Sequence, residues 1–284
     1  RSPLDESLRA VKRAGPRLPR IAVFGDDLRD ALRGGWGDST EPGFVSGKSG
    51  LDRNVRFGVV GATAHFQVGF DSSGDSPVAY GGHSAETINY VSCHDDLSLV
   101  DKLRASAPEG MTEEELVRFD KLAQTVVLTA QGIPSLFAGE EMLRTKGGVS
   151  NSHDSPDRVN RIDWSFKADH KDVFDYYRGL IALRRTHPAF RLATAAEIER
   201  HLRFLDTGDT HVVAYMLVDH AGDDPWREIL VVYNGARAEK RVRIPPGDWH
   251  AVCLDGRIAS EALAVFSGDS VPVPASSALI AYLP

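Results

Sequence analysis

The stretch Thr87-Ile88-Asn89-Tyr90-Val91-Ser92-Cys93-His94-Asp95-Asp96-Leu97-Ser98-Leu99-Val100-Asp101-Lys102-Leu103 decides how the rest of the chain is read. Ile88, Tyr90 and Val91 are strand formers. The run then breaks into His94-Asp95-Asp96, three residues that a buried strand does not choose. Leu97, Val100 and Leu103 follow at helical spacing. The element is a strand, a polar corner and a helix. In (β/α) proteins the loops at the carboxyl ends of strands are free to vary while the sheet holds them rigid, so a polar cluster there is a place for chemistry. Taken alone, His94-Asp95 also has a plainer reading, in which Asp95 or Asp96 merely caps the helix that follows.

The flanks fit an α/β pattern. Residues 111–131 form the clearest helix: Thr112 suits an N-cap, and Glu113, Glu114 and Glu115 occupy the first turn, where the helix dipole favours acids. Leu116, Phe119, Leu122, Ala123, Val126, Val127 and Ala130 repeat at helical spacing. Gly132 stops the helix, residues 133–138 read as a strand, and 173–185 as a second strong helix. Upstream, residues 21–24 are a short apolar strand ending in Gly25-Asp26-Asp27, with a helix starting at Leu28. Residues 34–50 are a Gly-rich loop carrying Trp36 and Phe44, aromatic rings that could serve as ligand platforms but are read here mainly as packing residues. Residues 61–84 mix a helix with a Ser/Gly/Pro loop, and residues 1–19 are basic, with a short helix near 6–12. Strand and helix alternate, the α/β signature. Beyond His187-Pro188 the grammar changes to short alternating runs (198–205, 211–218, 228–233, 240–244, 249–254, 270–274 and 278–283). Gly208, Asn234-Gly235, Pro245-Pro246-Gly247 and Gly268-Asp269 punctuate them. The expected domains are therefore 1–187, helical and parallel-stranded, and 188–284, all-β without a helix-length segment.

Three stretches in order resemble type I pullulanases, the starch-debranching branch of the α-amylase superfamily. Tyr90 to Leu103 is similar to that family's last catalytic motif. Gln131-Gly132-Ile133-Pro134-Ser135-Leu136-Phe137-Ala138-Gly139-Glu140-Glu141 resembles its final barrel strand and the loop after it. Asn151-Ser152-His153-Asp154-Ser155-Pro156-Asp157 with Asn160-Arg161-Ile162-Asp163-Trp164 resembles a loop near its sugar subsites. Residues 21–32 and 43–47 are also similar to the family. A lone His-Asp is a weak signal; three motifs in family order over roughly half the chain are a strong one. The resemblance implies an incomplete (β/α)8 TIM-type barrel, its last strands and helices, followed by an antiparallel β-sandwich.

The resemblance also implies roles. Hydrolysis of a glucosidic bond passes through an oxocarbenium-like state, and a retaining enzyme needs a carboxylate nucleophile and a protonated carboxyl acid. The superfamily adds a third carboxylate that grips the sugar hydroxyls; Asp95 stands at that position, and His94 at that of a histidine bonding the same sugar. A neutral imidazole does so without adding charge. Asp96 replaces the family's usual Asn and is expected beside the substrate, where its charge would raise the Asp95 pKa. Asp157, Asn160 and Glu140 are the other expected substrate contacts, although Asx-turns for the first two and a helix-start acid for the third read equally well. His153-Asp154 and Pro156 depart from the family's Tyr-Asn and Gly. Trp164 reads as a core anchor. No Gly-x-Arg-x-Asp nucleophile pattern and no Tyr-Gly-Glu acid pattern occurs in the sequence. The expectation is a chain that supplies the transition-state-stabilising Asp95 but hydrolyses nothing alone. An amino-terminal segment completing the barrel, or self-association, would cover its open edges. The alternatives are a non-catalytic α-glucan-binding or structural module, or a neighbouring glycosidase such as isoamylase.

Composition bounds the partners. The 284 residues carry 42% hydrophobic and 26% charged residues and a formal net charge of -7, which argues against nucleic acid and anionic membrane and is compatible with a neutral substrate as with almost any other; the α-glucan partner (pullulan, starch or glycogen) is what the resemblance implies. No run approaches the ~18–20 apolar residues of a membrane span. Cys93 and Cys253 lie far apart without metal-type spacing, and both read as buried thiols. Gly25-Asp26-Asp27 lacks the EF-hand ligand spacing, so no metal and no cofactor is expected. The chain opens on Arg1-Ser2-Pro3 without Met, and its compartment stays open between the cytoplasm and secretion from a bacterium.

Overall fold

The computed structural model describes residues 3–5, 12, 21–69 and 79–284. The helix expected over 6–12 lies outside the described residues, apart from Lys12. In chain order the elements are β1 (Val23–Phe24), α1 (Asp26–Arg33), α2 (Asp52–Val59), β2 (Thr87–Asn89), α3 (Leu99–Ala105), α4 (Glu113–Thr129), β3 (Ile133–Pro134), α5 (Asp157–Asn160), α6 (Phe166–Asp169) and α7 (Lys171–Thr186). They continue as α8 (Ala195–His201), β4 (Leu202–Leu205), β5 (Val212–Leu217), β6 (Glu228–Asn234), β7 (Lys240–Leu254), β8 (Arg257–Ile258), β9 (Ala264–Val273) and β10 (Ser277–Leu283).

The first three strands pair in parallel in the order β1-β2-β3, with Val23 opposite Thr87 and Ile88 opposite Ile133. Sequential parallel strands joined by helical crossovers are a segment of a (β/α) barrel. The strands are shorter than the sequence suggests: β3 ends at Pro134, which has no N–H to offer a further neighbour. Helix α4 lies at the centre. Thr112 accepts from the Glu115 amide at 3.2 Å and the Glu115 carboxylate accepts from the Thr112 amide at 3.1 Å, a reciprocal cap. From Phe119 to Thr129 every residue of α4 is buried, so its polar members need internal partners. Thr125 meets the Tyr176 hydroxyl of α7 at 2.7 Å, and the Thr129 carbonyl accepts from Tyr215 of β5 at 3.1 Å. The orphan carbonyls at its carboxyl end are met by Arg184 of α7, which donates to Leu128, Ala130 and Gly132 at 3.0, 2.8 and 2.6 Å. A cation on the negative end of a helix dipole is doubly favourable.

The second unit is a β-sandwich built from one antiparallel sheet of order β4-β5-β6-β10-β7-β8, with β9 paired along β7. The register of β7 and β9 shifts between Arg243 and Gly247, at Pro245-Pro246-Gly247, where proline cannot hold a ladder. Its central strands β5, β6 and β10 are buried on both faces, unlike a sheet with one wet side. Val213, Tyr215, Val231, Tyr233 and Ile280 face the core they share with the helices. The alternate residues Ala214, Met216, Leu230, Val232 and Leu279 pack with Trp249, Val242 and Val271 in a second core inside the sandwich. The first run of this unit, expected as strand over 198–205, divides instead into helix α8 and strand β4. The reason is a cap: Thr194 and Glu197 exchange hydrogen bonds at 3.2 and 2.9 Å and fix a helical turn before Leu202. Gly235 marks a close approach of the two units. A Cβ there would lie 2.3 Å from the Phe44 carbonyl oxygen, so only glycine fits.

Candidate functional site

The carboxyl ends of β1 and β2 open into a cavity of about 560 Å³, lined by Phe24, Asp26, Arg29, Arg33, Trp36 and Tyr90, by Cys93 to Asp96, and by Ser150 and Asn151. His94 and Asp95 project into it from the corner after β2. Their side chains are 80% and 67% exposed, and His94 Nε2 lies 3.4 Å from Asp95 Oδ1. The corner is held from beneath. Lys146, itself buried, donates through Nζ to the His94 carbonyl at 3.2 Å, to the Asp96 carbonyl, and to the Ser150 carbonyl at 3.1 Å. Burial weakens the ammonium's hold on its proton, and the nearby Asp101 and Asp96 carboxylates partly restore it. Asp101 in turn accepts from Thr145 and from the Lys146 amide at 2.7 Å. One chain of bonds thus ties the loop after β3 to the corner after β2.

Asp96 adopts φ 61°, the left-handed region. Asn and Asp enter that region several-fold more readily than other non-glycine residues. This accounts for the exchange of Asn for Asp at a position that turns the chain into α3. The Asp96 carboxylate, on the cavity wall, pairs with the buried Arg33 guanidinium at 2.8 Å, whose other arm donates to the Leu97 carbonyl at 3.1 Å. The carboxylate expected beside Asp95 thus has a cation partner of its own.

Asp26, at the carboxyl end of β1, is the third carboxylate of the cavity. It accepts from the Tyr90 hydroxyl at 2.6 Å and pairs with Arg29 at 3.1 Å and Lys12 at 2.9 Å. Burial alone would raise its pKa, but the hydrogen bonds from Tyr90 and Lys12 outweigh that and hold it below the ordinary carboxylate range. Of the three carboxylates, two are locked onto cations, and Asp95 lies beside His94 with no other side-chain partner among the described residues.

The other sequence expectations fare differently. Glu140 is not at the surface of the site but fully buried under it. Its Oε2 accepts from Gln124 Nε2 at 3.0 Å and the Phe137 amide at 3.1 Å, and Oε1 from the Ser92 hydroxyl. Burial raises its pKa to about 8. Asp157 is exposed in the first turn of α5, outside the cavity. Asn160 spends its amide on the Ser152 and Ser155 carbonyls at 2.6 and 3.0 Å, which shapes the loop instead of facing a ligand. Cys93, expected buried, is half-exposed; Cys253 is buried beside the Tyr176 hydroxyl at 3.2 Å, and burial pushes its thiol up to about 12. Phe44 is core, as expected. Trp164, expected as a core anchor, is exposed, and Trp36 is 64% exposed on the cavity wall. From sequence, Asp26 was weighed only as a cation ligand and Tyr90 only as a strand former, and Arg33 was not singled out. Asp26 was legible by the same rule that marks His94, a polar residue at the carboxyl end of a parallel strand.

Comparison with known proteins places the chain, as distinct from its cavity, beside one family. Residues 198–257 match the pullulanase all-beta domain. Over 244 residues the chain is 34% identical to the pullulanase of Bacillus subtilis strain 168, covering 86% of this chain and 32% of that protein. Over its length the chain belongs to the pullulanase family. The crystal structure of type I pullulanase from Bacillus subtilis complexed with maltose superposes with a TM-score of 0.90 at 30% identity, over 99% of this chain and 38% of that one. A pullulanase from Paenibacillus barengoltzii in complex with maltohexaose and α-cyclodextrin gives 0.85 at 39% identity, over 99% and 42%. The chain spans about a third of the length of the curated pullulanases it matches. Among the described residues no helix is long and apolar enough to cross a membrane.

Proposed function

We propose that this chain supplies the transition-state-stabilising part of a retaining α-1,6-glucan debranching site. Asp95 grips the hydroxyls of the distorted sugar ring, and His94 hydrogen-bonds the same sugar. The observation that carries the reading is the unequal state of the three cavity carboxylates: Asp26 and Asp96 are paired with Lys12, Arg29 and Arg33, and Asp95 stands exposed beside His94. A carboxylate already bonded to cations is a poor acceptor for sugar hydroxyls, and one held ionised, as Asp26 is, cannot donate a proton as a general acid. A retaining reaction needs two further carboxyl groups about 5–5.5 Å apart. In this reading both come from protein outside these residues, and the chain alone is inactive.

The ligand is an α-glucan, in keeping with the maltooligosaccharides named in the relatives' structures. Trp36 offers an exposed ring on the cavity wall for stacking. Further barrel segments complete the sheet beside β1 and β3, where Phe24 and Ile133 are 48% and 42% exposed; self-association would cover the same apolar surface. The test is reducing-sugar release from pullulan by the chain alone, then mixed with the amino-terminal part of a full-length pullulanase. Activity only in the mixture, lost with Asp95→Asn, is the expected result. Hydrolysis by the purified chain alone, or a mixture in which Asp95→Asn is fully active, overturns the reading.

A further inference from the structure

The corner that holds Asp95 carries a second set of donors. Cys93 Sγ, a ring nitrogen of His94 and a carboxylate oxygen of Asp95 all lie within 4.8 Å of one another. The edges of a zinc tetrahedron with Zn–S near 2.3 Å and Zn–N and Zn–O near 2.0–2.2 Å measure about 3.3–3.7 Å. His94 Nε2 to Asp95 Oδ1, at 3.4 Å, already has such an edge. The remaining distances, at most 4.8 Å, close by up to about 1.5 Å, within reach of side-chain rotation at exposed positions. The backbone needs no movement, because Lys146 fixes the carbonyls of His94 and Asp96. Among the described residues the hydrogen-bond contact of Cys93 Sγ is a long one, 3.9 Å to the Asp95 carbonyl, which leaves the side chain room to turn. Cys253 offers nothing comparable, since it is buried against Tyr176.

We propose that Cys93, His94 and Asp95 form a binding site for a borderline-soft divalent cation of the zinc class. One thiolate, one imidazole and one carboxylate are a donor set for Zn²⁺, not for the hard cations Ca²⁺ and Mg²⁺, which take oxygen. Three protein ligands leave the fourth position to water. Binding requires the Cys93 thiolate, so the thiol proton passes to solvent as the metal–sulfur bond forms, and affinity rises with pH. Metal at this corner occupies His94 and Asp95, so it excludes sugar from them; that consequence rests on the function proposed above, whereas metal binding itself does not.

The test titrates the purified, untagged chain with Co²⁺ under reducing, thiol-free conditions and follows its absorption. The expected result is one equivalent bound with a thiolate-to-cobalt charge-transfer band, which collapses when Zn²⁺ displaces the cobalt. Cys93→Ser abolishes the band; His94→Ala and Asp95→Asn each weaken binding by about tenfold or more. All three variants keep the far-ultraviolet circular dichroism of the parent, as befits side chains outside the core. The absence of a charge-transfer band, its persistence in Cys93→Ser, or unchanged affinity in both His94→Ala and Asp95→Asn overturns the proposal. Competition by maltose is measured separately: cobalt binding without competition sinks only the sugar contacts, and sugar binding without cobalt binding sinks only the metal site.

Discussion

Glu140→Gln tests the buried acid beneath the site. Among the described residues no cation is bonded to Glu140; its partners are Ser92, Gln124 and the Phe137 amide, and burial raises its pKa to about 8, with a further push from the Asp120 carboxylate. Asp120, fully buried and bonded to the Tyr177 hydroxyl at 2.8 Å, is itself raised by burial to about 7. The unfolded chain loses the Glu140 proton near pH 4–5, and the folded chain keeps it to about pH 8. Between those values the folded state binds more protons, so the contribution to stability is complete at low pH and declines as pH rises. The slope is at most about 1.4 kcal/mol per pH unit, or roughly 4 kcal/mol from pH 5 to 8. Glutamine has the same size. Its carbonyl can accept from Gln124 and the Phe137 amide, and its amide can donate to the Ser92 oxygen once that hydroxyl turns. The variant should match the parent at pH 5 and exceed it at pH 8, with a flatter profile throughout. Urea midpoints at pH 5, 6.5 and 8, read by fluorescence and circular dichroism together, measure this. Parallel profiles for parent and variant would mean that Glu140 is ionised in the folded protein, and the burial reasoning would be wrong.

Three further outcomes follow from single contacts. Arg33→Met should destabilise the chain by about 3 kcal/mol in urea unfolding, because it strips the cation from the part-buried Asp96 and the donor from the Leu97 carbonyl. Lys146→Met fills the same space but leaves three carbonyls without their donor; amide hydrogen exchange over residues 93–97 should quicken by about tenfold, a local loss of about 1.4 kcal/mol. Thr194→Ala should cost about 1 kcal/mol and lower helical signal, since it removes the cap that makes α8 a helix; an unchanged midpoint would show that packing of Ile198 alone holds the turn.

What the sequence determined by itself is the order and type of the elements with strong periodicity. Helix α4 announced itself through Thr112, three glutamates and an apolar repeat, and the late strands through alternation and Gly/Pro turns, because these signals are local and repeat over many residues. The same holds for His94 and Asp95, whose polarity breaks a strand. Where the local signal was short, the structure decided otherwise. The run at 198–205 carries strand formers, but a cap formed by Thr194 and Glu197 overrides them. Glu140 and Asp96 read as expected substrate contacts, and nothing local says that one bonds Gln124 of α4 in the interior and the other meets Arg33, 63 residues away. The availability of Asp95 is likewise a tertiary fact. It depends on which of three carboxylates meets a cation, and those cations come from α1 and from Lys12, far from the corner in sequence and beside it only when the parallel strands align their carboxyl ends.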